Sequence, residues 1–383
     1  MPSIFAIQNW KKRYTSSIDC APAERASPVP NETSKQVLLN VLRHPQQVQT
    51  FGLKEWDLLL RQARRADMLA TVHQWLTRAG LAGYIPDKVE KHFTAHANLV
   101  HANQTAIKWE VAQIYAALAE VCDPPVVLKG AAYVLAGISA AEGRIFNDID
   151  ILVPKQDINK VEQALFLAGW SAGHLDAYDQ KYYRTWMHEL PPLQHMRRGT
   201  VVDVHHTILP ETGHLKPDAQ KLLSAAVTVA VRDDFSVRVL APVDMVLHSA
   251  AHLFHEGEFD HGLRDLFDLH RLLIHFSEEP DFWQTLVKRA EVLDLVPPLF
   301  YAARYVQAIL QTPVPVPVLE SLNRLFPTTP ITRLMDFCYQ RVLVSDHQSC
   351  RRRFTGLAEY LLFVRSHYLR MPLRLLLPHL IRK

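Results

Sequence analysis

Asp148 and Asp150 stand two residues apart in Phe146–Val153, a run whose alternation reads as a β-strand. Alternate side chains of a strand share a face. The two carboxylates therefore project the same way, with Cα atoms about 6–7 Å apart. Two unpaired anions cannot be buried cheaply side by side, because they repel and lose solvation. A cation is expected between them, and Mg²⁺, a hard ion that prefers oxygen ligands, suits the donor type. A third acid, Asp203, interrupts the β-branched strand Thr200–His206. If that strand pairs beside the first, three carboxylates converge and can hold two metal ions. Such ions activate an attacking oxygen and stabilise a leaving phosphate.

Upstream, Val127-Leu128-Lys129-Gly130-Ala131-Ala132 reads as a strand, a glycine turn and a helix start. Backbone N–H groups after Gly130, at Ala131 and beyond, would be available to phosphate oxygens. Lys129 reads equally well as a phosphate ligand or as an ion-paired lysine. Arg144 and Asn147 lie between this turn and the carboxylate strand, within reach of an anionic ligand. Arg144 reads equally as the structural partner of a nearby acid. His205 follows Asp203 on its strand and is a candidate phosphate contact if it faces the cleft.

The elements that must position these residues form five stretches. Residues 1–33 lack periodicity and read as a loosely held tail, and 34–122 as a helical region ending in a long helix that starts near Pro86. Residues 123–241 read as an α/β core with the order strand, helix, strand, helix, then antiparallel strands. Its helix Gln156–Ala168 closes at Gly169, and Tyr182–Glu189, Leu193–Arg197 and Thr200–His206 are its later strand candidates. Residues 242–345 return to helical periodicity, and 346–383 form a basic amphipathic tail. The expected class is α+β, a small mixed sheet between helical flanks.

Composition limits the rest. The chain has 383 residues, 48% hydrophobic and 21% charged, a balance able to bury a sizeable core. No apolar run approaches the roughly 18–20 residues needed to span a bilayer, and Met1–Tyr14 has no continuous apolar stretch of a secretory signal. Four dispersed cysteines argue against a disulfide scaffold or zinc ribbon, so a cytoplasmic location is expected. The net charge of +3 is uneven. Residues 351–383 carry eight Lys/Arg against Glu359, leaving 1–350 at −4. An acidic body favours a small molecule, peptide or protein over a long nucleic acid, which requires several Lys/Arg–phosphate contacts. The tail suits an anionic membrane surface, an acidic partner or, better, packing on its own body.

His248, His252 and His255 share one helix face, but without an H-E-x-x-H glutamate they read as packing that buttresses the site. Arg264-Asp265 reads as a structural pair. The seven tryptophans are scattered and read as packing anchors.

Taken together, Leu-Lys-Gly at 128–130, Arg144 followed by Asn-Asp-Ile-Asp-Ile-Leu-Val, and Val-Asp-Val-His-His at 202–206 resemble an uncharacterised bacterial nucleotidyltransferase-like family. That family belongs to the DNA polymerase β-type nucleotidyltransferase superfamily. The resemblance covers roughly residues 35–345, including His248-Ser-Ala-Ala-His252 and Leu263-Arg-Asp-Leu266. It implies that Asp148 and Asp150 hold metal ions (two Mg²⁺, or Mn²⁺) and the triphosphate of an NTP. Asp203 would then be the third ligand or help activate an acceptor hydroxyl. One position departs from the superfamily's Gly-Ser turn: Lys129-Gly130 lacks the hydroxyl. The expected activity is transfer of a nucleoside monophosphate from an NTP to an acceptor with release of pyrophosphate. The alternatives are a non-catalytic nucleotide-binding or protein-interaction module on the same fold and, ranked lower, an Asp-x-Asp glycosyltransferase.

Overall fold

The computed structural model describes residues 35–173, 177–255, 257, 259–372 and 374. The tail at 1–33, Glu256 and the end of the basic tail at 375–383 fall outside the described residues. Residues Gln36–Lys383 make one unit.

A seven-stranded mixed sheet lies at its centre: β1 (Val126–Val127), β2 (Asp148–Leu152), β3 (Trp170–Ala172), β4 (Leu193–His195), β5 (Val201–His205), β6 (Val227–Arg232) and β7 (Phe235–Val239). Their order is β3-β4-β5-β2-β1-β7-β6. β2 runs parallel to β5 and antiparallel to β1, and β1 runs parallel to β7. Helices flank the sheet in sequence on both sides, so the class is α+β, as expected.

Alternation along β2 and β5 fixes what each face carries. Ile149 and Ile151, with Val202 and Val204 beside them, are at most 3% exposed and pack into the core. The opposite face is left to the acids. Burying four β-branched side chains on one face specifies register, because a one-residue slip would drive the aspartates into the core.

One expectation is corrected, and one element went unread. Tyr182–Glu189 is not a strand: Ala177–Trp186 is helical, and only Glu189 makes an isolated bridge, to His205. Aromatic residues favour strands in isolation. Here Tyr182 and Trp186, four apart, stack edge-on at 6.0 Å, and Arg184 reaches Glu162 on the preceding helix. Tertiary partners override the local preference. The hairpin β6–β7, joined at Asp233-Asp234, was not singled out in the sequence. Its outer strand is mostly exposed, although Val227, Val229 and Val231 alternate along it.

The helical region before the sheet includes Asp87–Leu118, which the Pro86 signal places correctly. It is tied to the core at Gly143, where φ is +73° and an added Cβ would strike the Thr71 backbone. Thr71 donates to the Gly143 carbonyl at 3.1 Å. After the sheet, Pro242–His255 and Gly262–Phe276 begin a helical block centred on Phe254, Tyr301, Tyr305 and Tyr339. Helix Thr355–Arg370 of the basic stretch packs on Pro330–Val342 and Pro242–His255. Arg365 donates to the Phe254 carbonyl at 2.8 Å, so part of that tail's charge is used within the fold. Among the described residues no helix is long and apolar enough to cross a membrane.

Candidate active site

Parallel pairing of β2 with β5 puts Asp150 directly beside Asp203, while Asp148 pairs with Val201 and Leu152 with His205. Asp148, Asp150, Asp203 and His205 therefore occupy one face. Asp148 begins the strand and is exposed, whereas Asp150 is 4% exposed. Glu189 joins them, because its bridge sets it across from His205.

Lys129 donates to Asp150 Oδ1 at 2.9 Å, and His205 Nε2 lies 2.9 Å from the same oxygen. Burial opposes charge on both Lys129 and Asp150, but their mutual attraction prevails. Lys129 is held above the usual lysine range, Asp148 and Glu189 adding to the pull, and Asp150 falls below the usual carboxylate range. Asp148 moves the other way: loss of solvent and the neighbouring Asp150 raise it.

The turn that delivers Lys129 is itself constrained. Lys129 has φ of 45°, in the left-handed region a side chain seldom adopts. Leu128 donates to the Asp150 carbonyl at 2.9 Å, locking the turn to β2. Gly130 is required because a Cβ there would fall inside the Phe146 ring. Gly130 and Ala131 are buried at the start of a seven-residue helix, Lys129–Leu135. The close approach that glycine permits is thus to Phe146.

Arg144 is 6% exposed and donates to Asp268 Oδ2 at 2.5 Å, with Asp265 Oδ1 at 3.8 Å. Its guanidinium also lies 5.2 Å from the Phe146 ring. Of the two readings of Arg144, this is the geometry of the structural partner. Asn147 is exposed next to Asp148. His248 is buried, and burial together with Lys129 drives it well below the usual histidine range, consistent with a neutral residue packed behind the site. Arg264 pairs with Asp265 at 2.9 Å.

Asp203 carries the strongest sign of an absent partner. Its Oδ1 is buried without a hydrogen bond among the described residues. Burial, then Glu189, Asp150 and Asp148, push its pKa up to about 7. Asp150, Asp148 and Glu189 act on the Lys129 ammonium and Asp203 lies beside Asp150, so four carboxylates share one ammonium and a further cation would be attracted. The donors on the Asp face are oxygens, as Mg²⁺ prefers, and the orphaned Asp203 Oδ1 is where such a ligand is wanted.

This crowding has a stability consequence. A carboxyl raised from the ordinary aspartate value near 4 to about 7 binds its proton more tightly folded than unfolded. Stability then falls as pH rises through that window and stays reduced above it. Asp203→Asn should raise the stability of the metal-free protein by about 2 kcal/mol at pH 8 and hardly change it near pH 4. Urea unfolding in EDTA at both pH values measures this, and an equal effect at both would refute the crowding account.

Two residues were not singled out in the sequence. His188 and Glu189 lie between a helix and β4 and become neighbours of His205 only through the backbone bridge. Their adjacent Pro191-Pro192 signalled a turn, but nothing in the local pattern signalled a site. Burial holds His188 down at about 3, while Glu189, drawn by the His188, His205 and Lys129 charges against its own burial, sits at about 2. A separate cleft of about 310 Å³, lined by residues including Arg341, Asp346, Tyr360 and Phe363, shares no residue with this cluster.

The sequence model of an uncharacterised nucleotidyltransferase family matches residues 53–311, more than half of the chain, which therefore belongs to that family. No curated protein was found to match it.

Proposed function

We propose that this member of an uncharacterised nucleotidyltransferase family moves a nucleoside monophosphate from an NTP to an acceptor and releases pyrophosphate, with Mg²⁺ or Mn²⁺ as cofactor. The observation that carries the reading is the parallel register that sets Asp203 beside Asp150, on the face shared with Asp148. Asp148, Asp150 and Asp203 would hold the metal, probed most directly by Mg²⁺ itself. When bound, the ions would neutralise the triphosphate and polarise the reacting phosphorus.

The chain's own residues supply the rest. His205 and Lys129 hold Asp150 Oδ1 from two sides and so fix the carboxylate's direction. Lys129 keeps its proton and lowers the negative potential that an incoming triphosphate meets. Asn147, exposed beside Asp148, offers an amide donor to the nucleotide. As the acceptor oxygen bonds the α-phosphorus and the bond to the β-phosphate oxygen breaks, the acceptor's proton passes to Asp203 if that carboxylate serves as the base rather than as the third metal ligand. Arg144, committed to Asp268, supports the entry into β2.

One observation favours a second reading, a non-catalytic nucleotide-binding module. The Lys129 ammonium already sits on Asp150 Oδ1, where a bound cation would sit, and the Gly-Ser hydroxyl is absent. Incubation with each of four NTPs and Mg²⁺ or Mn²⁺, with candidate small-molecule, peptide and protein acceptors, separates the two. Metal-dependent pyrophosphate release is expected. Nucleotide binding without release under every condition would favour the module.

A further inference from the structure

His188, Glu189 and His205 bring two imidazole nitrogens and a carboxylate oxygen within 4.8 Å of one another. We propose that they form a second metal site, distinct in chemistry from the aspartate face, which takes a divalent transition metal of the zinc class. Glu189 Oε2 lies 3.4 Å from His205 Nε2 and 3.8 Å from His188 Nε2. Ligand atoms about 2.0–2.1 Å from a tetrahedral ion stand roughly 3.3–3.4 Å apart, so little closure is needed. Asp150 Oδ1, 2.9 Å from His205 Nε2, is placed to complete the fourth position.

The scaffold holds these donors in place. Glu189 bridges His205, Leu190 donates to the Val204 carbonyl at 2.9 Å, and His206 donates to the His188 carbonyl at 2.9 Å. The two rings lie 5.2 Å apart between centroids. Among the described residues, His188 Nδ1 and His205 Nδ1 are both buried without a hydrogen-bond partner. His205 Nε2 faces both Asp150 Oδ1, at 2.9 Å, and Glu189 Oε2, at 3.4 Å, while His188 Nε2 lies 3.8 Å from Glu189 Oε2. Two imidazoles and a carboxylate select Zn²⁺, Co²⁺, Mn²⁺ or Fe²⁺ over Mg²⁺, whose preference is for oxygen.

An ion here would pin the segment before β4 to β5 and share Asp150 with the aspartate face. The assignment does not depend on nucleotidyl transfer, since it stands on the donor set alone. The test uses the full chain, stripped with a chelator and titrated with Zn²⁺ and, for its visible absorption, Co²⁺. One ion per chain is expected, not displaced by millimolar Mg²⁺. His188→Ala and Glu189→Gln should each weaken binding by at least about 100-fold, with unchanged circular dichroism. Asp148→Ala, which removes a ligand only of the aspartate face, should leave Zn²⁺ binding intact. If either site variant fails to fold, Zn²⁺ protection of His188 from diethyl pyrocarbonate in the native chain replaces it. Absence of stoichiometric binding, retention in both variants, lack of protection, or loss in Asp148→Ala would each overturn the proposal. Failure of NTP turnover with Zn²⁺ binding intact would count against the proposed function alone.

Discussion

Asp148→Ala abolishes metal-dependent NTP binding and pyrophosphate release, by about 10²–10⁴-fold, while thermal unfolding stays within about 0.5 kcal/mol of the parent. The asymmetry follows from where Asp148 sits. It opens β2 with its residue surface reaching solvent, and its ionised form is disfavoured by the loss of solvent around the carboxyl and by the Asp150 carboxylate beside it. Removing it relieves repulsion and leaves no buried group unpaired, yet takes an oxygen donor from the mouth of the cluster. Calorimetric titration with NTP and Mg²⁺, paired with a melting curve, reads both quantities. Unchanged NTP affinity in the folded variant would defeat the assignment of the Asp-x-Asp pair.

Asp150→Ala is expected to lose the same activity and, unlike Asp148→Ala, to destabilise the fold by about 3–5 kcal/mol. Asp150 is buried, accepts from Lys129 and meets His205, both at 2.9 Å. Its removal leaves an ammonium beside the core without its main counter-charge. The penalty belongs to the orphaned lysine more than to the lost carboxylate, so Lys129→Met in the Asp150→Ala background should restore much of the stability and none of the activity. Urea unfolding of the single and double variants measures the coupling. A loss below about 1 kcal/mol in Asp150→Ala would mean that the Lys129–Asp150 pair contributes little to the fold. The two aspartates therefore differ in kind: Asp148 is a clean probe of function, whereas any Asp150 variant reports on function and folding together.

Much of the core was legible because its signals are local. The β-branched alternation around Asp148 and Asp203 predicts two strands and which residues share a face, and Gly169 ends its helix where expected, at φ +102°. The long helix after Pro86 and the helices from Pro242 followed from spacing. Tyr182–Glu189 misled because its aromatics suit a strand until Glu162 and the i, i+4 ring pair are counted. The β6–β7 hairpin carried its own signal, Val227, Val229 and Val231 alternating with Thr228, Ala230 and Arg232, then Phe235, Val237 and Val239 beyond Asp233-Asp234, and it went unread.

What the amino-acid order determined by itself is the chemistry on offer: two acids on one strand face, a third on another strand, and a lysine-glycine turn. Side-chain alternation is a property of each strand alone, so no partner is needed to read it. Tertiary structure decided how these offers combine. Parallel register placed Asp203 beside Asp150 rather than one residue away, and the orphaned Asp203 oxygen follows from that register. The left-handed turn turned Lys129 onto Asp150, Asp268 claimed Arg144, and a single backbone bridge carried Glu189 to His205. Asp268 is 124 residues from its partner, and Glu189 reaches His205 across a chain reversal. Charge pairing at such separations depends on the folded path of the chain, which no local pattern records.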